Sequence, residues 1–398
     1  MSGVTIDFRE KQLREQLKKY QAYHEQDPGN VNIVAQLSDL HYQLGQFDAA
    51  KEVLQSVNLQ AEPGLMFRLS NIAIARGDAE EAIEVLEQLN AMGVDNSAVK
   101  YNLAFAKTLT RQFEDAKELL LNIDAGDDMA PQSPKLLSRC YHHLGGLEEG
   151  IALMQEYTQQ HKQDAEALGI LALLNVDASH DDQARECAEQ SIRIDDANLE
   201  ARVALGSLAL DEYDTDLAGK HFSKALNRSP KSGRAWSGLG MVDMMNMDIP
   251  KAISDLEKAV KFMPQHLGSW QALAWCQLMM DDIEGAKASF NSAMEVDHNF
   301  SENHGGLAVI AVLEGRRDEA KALARKAVLL DPNSFSGRFA QSMLQNDTDP
   351  EKAKESIMNI LQTDVGGGKS IIDYTNKYVT KNVQKLRQIQ GLEKKDRH

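Results

Sequence analysis

A leucine that returns every 34 residues constrains this chain more than any other feature. Nine consecutive units begin at Val31, Pro63, Ser97, Pro131, Ala165, Leu199, Gly233, Leu267 and Ser301; the first step is 32 residues and every later one is 34. Position 7 of these units reads Leu37, Leu69, Leu103, Leu137, Leu171, Leu205, Leu239, Leu273 and Leu307. With leucine near a tenth of residues in ordinary proteins, chance gives such a column roughly once in a billion registers. Position 8 is always small, from Ser38 and Ser70 to Ala274 and Ala308, and so is position 20, from Ala50 to Ala320 with Gly150 among them.

This pattern predicts two helices packed antiparallel in every unit. Positions 4, 7, 8 and 11 fall on one stripe of a first helix, and positions 20, 24, 27 and 28 on one stripe of a second. The small residues at 8 and 20 let the two axes approach closely, while the leucine at 7 fills the space between units. Breakers mark the turn near position 15, as in Gly45-Gln46, Gly77-Asp78 and Gly315-Arg316. Proline at position 32 (Pro230, Pro264, Pro332) stops the second helix. One such hairpin cannot bury its own face; a stack of them can.

The seventh unit shows the pattern most fully, with Ala235, Trp236, Leu239 and Gly240 followed by Ala252, Leu256, Ala259 and Pro264. In this it resembles the tetratricopeptide repeat family. The resemblance implies an all-α fold, a right-handed superhelical solenoid of about nine to ten helix-turn-helix repeats with a capping helix at each end. Residues 1–30, with Leu13, Leu17, Tyr20 and Tyr23 on one side, read as the N-terminal capping helix. Residues 31–333 are the nine tandem repeats, and 334–364 an irregular tenth that lacks the leucine of its first helix. Residues 365–398 form a glycine hinge and a basic amphipathic helix.

Composition removes several functional classes. The chain has 398 residues, 42% hydrophobic and 26% charged, enough apolar material for a large core. A net charge of -17 makes nucleic acid a poor main partner, since phosphate repels such a surface. Cys140, Cys187 and Cys276 stand far apart and read as buried, inert thiols rather than a disulfide framework or zinc site. The residues from Met1 to Tyr20 alternate charged and apolar, unlike a secretory signal, and no run of about 18 apolar residues occurs. A cytoplasmic location is the expectation.

The resemblance places positions 2, 5, 9, 12 and 13 on the concave wall where peptides commonly bind. In the fifth unit these include Leu173, Val176 and Asp177. Further on they give Met241, Met244 and Met245, then Gln271, Trp275, Leu278 and Met279, then Val309, Val312 and Leu313. Eight of the 15 methionines lie between Met241 and Met294. Methionine is flexible and polarisable, and it suits a surface that accepts varied apolar partners. One reading is a groove for an amphipathic helix or apolar segment of another protein. The other is packing against neighbouring helices or against the C-terminal tail.

A basic spot lies earlier. In chaperone-docking members of the family, Lys and Asn side chains hold a peptide's terminal carboxylate at positions 5 and 9 of three successive repeats. Asn71, Lys135 and Arg139 match that pattern, whereas Phe67 and Phe105 stand where a lysine and an asparagine belong. The alternative is a solvated Lys/Arg pair one turn apart.

No catalytic constellation appears. Gly368-Lys369-Ser370 has the end of a phosphate-binding loop but not its leading glycine, since Thr363 stands there. His142 and His143 are adjacent, point about 100 degrees apart on a helix and poorly fit one metal. No enzyme activity, cofactor or metal is expected. The segment from Gly366 carries eight Lys or Arg against three Asp or Glu, while the rest carries 35 against 57. Within it Ile372, Val379, Val383, Leu386 and Ile389 recur at helical spacing, with Lys377, Lys381 and Lys385 on another side. Such a helix could cap the last repeat, dock a partner, touch anionic membrane or sit in the chain's own groove. The reading is a non-catalytic scaffold, adaptor or chaperone that binds a peptide or amphipathic helix. The alternatives are a regulator whose basic tail contacts nucleic acid or anionic membrane, and a non-catalytic subunit of an enzyme or secretion complex.

Overall fold

The computed structural model describes residues 2–124, 126, 128–346, 348–363 and 370, with side chains from residue 8 onward. The expected glycine hinge and basic helix of 365–398, Ser370 apart, therefore lie outside the described residues. The chain divides into two compact bodies, Met1–His180 and Asp181–His398, so the boundary falls inside the fifth 34-residue unit.

The N-terminal body starts with the long helix α1 (Ser2–Gln26). Helix pairs follow: α2 (Val31–Gln43) and α3 (Phe47–Leu54), α4 (Pro63–Arg76) and α5 (Ala79–Ala91), α6 (Ser97–Leu109) and α7 (Phe113–Leu121), α8 (Ser133–Leu144) and α9 (Leu147–Gln160). It ends with α10 (Ala165–Asp177). The C-terminal body begins with α11 (Asp181–Ile194). Its pairs are α12 (Leu199–Asp211) and α13 (Thr215–Arg228), α14 (Gly233–Met245) and α15 (Ile249–Phe262), α16 (Leu267–Met279) and α17 (Ile283–Val296), α18 (Ser301–Leu313) and α19 (Arg317–Leu330). A last pair, α20 (Phe335–Gln345) and α21 (Pro350–Leu361), closes the described part. Apart from one 3-10 turn at Leu59–Ala61, these α-helices are the only regular elements among the described residues. The protein is an all-α helical repeat solenoid.

The repeat columns do the packing assigned to them. Ala50, Ala82, Ala116, Ala184, Ala218, Ala252, Ala286 and Ala320 at position 20 are wholly buried, as are Ala104, Ala172, Ala274 and Ala308 at position 8. Leu37, Leu103, Leu171 and Leu273 at position 7 are core residues, whereas Leu239 and Leu307 are only half-buried. Second helices stop two residues before the prolines, at Arg228, Phe262 and Leu330. That is expected, because the residue before proline avoids helical angles.

Two features tie the pairs together. Position 15 takes a left-handed backbone in all nine repeats: at Gly45, Gly77, Gly145 and Gly315, but also at Arg111, Ser179, Tyr213, Met247 and Asp281. The A-to-B turn thus has one geometry whether or not glycine supplies it. Position 4 of the C-terminal body forms a latch. The Arg202 guanidinium donates to the Asp196 carbonyl, the indoles of Trp236 and Trp270 donate to the carbonyls of Pro230 and Pro264, and His304 Nε2 bonds to that of His298, all at 2.8 Å. Each acceptor lies six residues upstream, at the end of the preceding helix. Four bonds at 34-residue intervals thereby fix how one repeat follows the last.

In the C-terminal body, large side chains at position 24 are matched to small ones in the next repeat. The rings of Phe222 and Phe290, 1% and 0% exposed, lie where a Cβ on Gly238 or Gly306 would collide with them. Leu256 at the same column faces a repeat with Ala272 at that place.

Candidate functional site

In the C-terminal body the first helices α14, α16 and α18 carry the methionine-rich face. Met241, Met244, Met245, Leu278 and Val312 are half-buried, and Gln271 and Trp275 are half-buried beside them. Met279 is 50% exposed. Val309 departs from the expectation of a wall residue: at 3% exposure it belongs to the core formed with Ala308, Ala324 and Ala340. The reason is the tenth repeat, whose Phe339 and Met343 pack onto that core.

Trp275 is similarly engaged. Its ring meets Phe290 edge-on at 6.2 Å, Phe335 at 6.1 Å and Phe339 at 6.4 Å, while Phe335 and Phe339 stack on each other at 6.0 Å. Edge-to-face packing of this kind adds stability beyond area burial. Trp275 is therefore a floor under the face rather than a free prong. Next to it, Gln271 Nε2 is buried without a hydrogen-bond partner among the described residues, a costly arrangement for an amide.

The apolar surface continues along the turns. Met247, Met279 and Met280 are each 50% exposed and Leu313 is 51% exposed. They occupy positions 13 to 15 of the seventh, eighth and ninth repeats. Polar contacts join neighbouring repeats at these turns: Thr215 Oγ1 of the sixth donates to Asn246 of the seventh at 3.0 Å, and Lys287 of the eighth lies 3.8 Å from Glu314 of the ninth. Sequence inspection placed Met279 and Leu313 on the wall but did not find the exposed Met247, at the left-handed position 15, or Met280, one residue before it in the next repeat.

The basic spot of the N-terminal body is internally satisfied. Lys135 Nζ lies 2.8 Å from Glu166 and 3.3 Å from Asp164, and Arg139 lies 3.4 Å from Glu166. Burial alone would lower the Lys135 pKa, but these carboxylates raise it on balance. Asp164 stays ionised: burial opposes this, yet the Ala167 amide and Lys135 hold its pKa below the usual value. Asn71 accepts from Asn102 Nδ2 at 2.6 Å. The clamp residues expected from sequence thus face partners in their own chain, with Glu166 shared by Lys135 and Arg139. His142 pairs with Asp177 at 2.8 Å and His143 stacks on Phe113 at 4.1 Å, with the two imidazole rings tilted against each other at 5.3 Å.

A hollow of about 500 Å³ that sequence inspection missed lies where the chain between α7 and α8 runs without helix, lined by Leu120, Leu121, Leu137, Leu153 and Tyr157 among others. The thiols of Cys140 and Cys276 are buried; Cys187, expected to be buried too, is half-exposed. Burial pushes all three up to about 11, so they stay protonated and unreactive. No group of three or more His, Cys, Asp or Glu among the described residues could hold a metal ion. No helix among them is long and apolar enough to cross a membrane.

Among known proteins, the tetratricopeptide repeat family matches residues 8–64 and 73–132, and again 302–334. No curated protein matches the chain. Solved structures resemble parts of it. One is described as the functional characterization of Pseudomonas aeruginosa pilF, with 17% identity, 49% of this chain and 88% of that one covered, and a TM-score of 0.42. A second is YrrB, called a TPR protein with an unusual peptide-binding site, with 18% identity, 47% and 97% covered, and a TM-score of 0.38. A third is MamA from Desulfovibrio magneticus RS-1, with 20% identity, 42% and 95% covered, and a TM-score of 0.33. Such likeness says nothing of what this chain binds. The 34-residue helix pairs and the family matches at both ends make the chain a tetratricopeptide-repeat protein, a helical scaffold of the kind that serves protein–protein interaction.

Proposed function

We propose that the inner face of the seventh to ninth repeats holds an apolar segment of another protein, and that the chain acts as a non-catalytic adaptor or chaperone. One observation carries this reading. The half-buried Met241, Met244, Met245, Leu278 and Val312 run into an edge where Met247, Met279, Met280 and Leu313 are half exposed or more. A folded chain gains by covering such a stretch, and methionine adapts to whatever covers it. An amphipathic helix or an extended peptide with apolar side chains at regular intervals fits this chemistry. Gln271, whose buried Nε2 has no partner among the described residues, lies under the same face. A carboxylate ligand at Lys135 and Arg139 would instead have to displace Glu166.

The test is affinity capture with Met245→Glu/Met279→Glu against the unaltered chain, with helicity followed by circular dichroism. Loss of the captured proteins at unchanged helicity is the expected result. Recovery of the same proteins by the double variant would remove the reading. Trp275 is a poorer test position, since its contacts with Phe290, Phe335 and Phe339 make its loss a folding defect.

A further inference from the structure

The exposed edge has a second property besides its methionines. Asp214, Asp248, Asp281, Asp282 and Glu284, all exposed, stand in the same row of turns. The nearby cations are engaged: Arg316 by Glu314 and Glu319, Lys251 by Asp243, Lys287 by Glu314, and Arg317 by the Leu344 carbonyl. Apolar sulfur-containing side chains flanked by carboxylates suit one kind of occupant, a basic amphipathic helix. It gains apolar burial on one face and charge neutralisation on the other.

This chain contains such a segment. Between Ile371 and Gln390 the residues Ile372, Val379, Val383, Leu386 and Ile389 share one side of a helical projection, with Lys377, Lys381 and Lys385 apart from them. As a helix these residues would be roughly 30 Å long, and three repeats at an interaxial spacing of about 10 Å present a row of matching length. The stretch from Thr363 to Ile371 can reach about 26 Å, more than the ~20 Å length of one repeat helix that it must cross. Met247, at the left-handed turn position, supplies the first exposed side chain of the row.

We propose that residues 371–390 of the chain itself dock on the methionine edge of the seventh to ninth repeats and occupy the face that a partner segment would take. This rests on the reading of that face as a binding surface. The carboxylates of the turns attract the lysines, the methionines cover the Ile/Val/Leu stripe, and a partner segment must displace the tail. Occupancy by the tail sets a threshold, because a partner's apparent affinity falls by the fraction of molecules in which the face is free.

Hydrogen exchange on the purified full-length chain tests this with no partner present, so its outcome is separate from that of affinity capture. The full-length variant Lys377→Glu/Lys381→Glu/Lys385→Glu is compared with the unaltered chain in low salt. Amides of 246–249, 279–284 and 313–315 are expected to exchange about tenfold faster in the variant. Full-length Met279→Glu/Met280→Glu should release the same amides at 246–249 and 313–315. Carbodiimide coupling should join Lys377, Lys381 or Lys385 to Asp248, Asp281 or Asp282 within one molecule. Equal exchange in all three proteins would overturn the proposal. Faster exchange confined to α20 and α21 would do so as well, by making the segment a cap on the last repeat. Protection that grows with protein concentration, with doubled mass in light scattering, would assign the edge to a second copy and overturn docking within one chain.

Discussion

The two bodies use one repeat in opposite ways. In the N-terminal body several polar side chains of the first helices answer one another: Arg68 reaches Asp39 at 2.9 Å, Asn102 reaches Asn71, and Lys135 and Arg139 share Glu166. On the first helices of the seventh to ninth repeats, positions 9, 12 and 13 hold only methionine, leucine, valine and Trp275, and the apolar edge is left uncovered by described residues. The packing differs as well. Position 24 is Leu54, Leu86 and Leu120 in the first three repeats, and the following repeat can place Arg68, Asn102 or Leu136 at position 6. Where position 24 becomes Phe222 or Phe290, position 6 of the next repeat becomes Gly238 or Gly306. A larger ring buries more apolar area but dictates its neighbour, so the C-terminal body is more tightly specified.

That contrast can be broken at several points, in order of size. Phe290→Ala should cost about 3–5 kcal/mol and loosen the Trp275 cluster, since it removes a wholly buried ring. Thermal melting with Trp fluorescence reads both effects. Gly306→Ala should cost about 1–3 kcal/mol by overpacking against Phe290, and Phe290→Leu in the same chain should recover part of it. Urea unfolding of the two single variants and the double variant gives the coupling; additive losses would refute the interlock.

A third effect is read with acid. Burial, and then the charge of Arg202, which donates to His221 Nδ1 at 3.1 Å, push the His221 pKa down to about 4. Because this lies below the ordinary value of 6.5, the unfolded chain binds the proton first. Stability from this group is full above pH about 6.5 and is lost as the pH falls toward about 4. The loss should be ~1–2 kcal/mol after solvent screening, and His221→Gln should flatten that part of the curve. The smallest effect is a gain. Met247→Gly should stabilise by about 0.5–1 kcal/mol through relief of the left-handed turn, and Gly315→Ala should lose a similar amount. No difference between the two would mean that the turn is unstrained.

The helix pairs were legible in the sequence because their columns repeat: Leu37 to Leu273 and Ala50 to Ala320 need one alignment to be seen. The left-handed turn was half legible. Four repeats show glycine at position 15, but Arg111, Ser179, Tyr213, Met247 and Asp281 carry no signature of it. The latch at position 4 was hidden for another reason, as Arg, Trp and His offer the same N–H donor under different letters. The match between Phe222 and Gly238, or Phe290 and Gly306, was present in the sequence but lies across repeats, where a column-by-column reading does not look. At the candidate sites, periodicity placed Met241, Met244, Met245 and Met279 on first helices, as the structure has them. It could not show that Val309 and Trp275 are claimed by Phe339 of the tenth repeat, nor that Glu166 neutralises Lys135.

The methionines themselves allow the most direct test of an apolar, partner-seeking face. Replacing methionine globally with its photoactivatable diazirine analogue and irradiating the chain in its own cells maps contacts residue by residue. Met92 and Met358, 47% and 45% exposed, are controls nearly as accessible as Met247, Met279 and Met280 at 50%. Cross-links to other proteins concentrated at Met245, Met247, Met279 and Met280 are the predicted result. Cross-links found equally at Met92 and Met358, or chiefly there, would contradict the account.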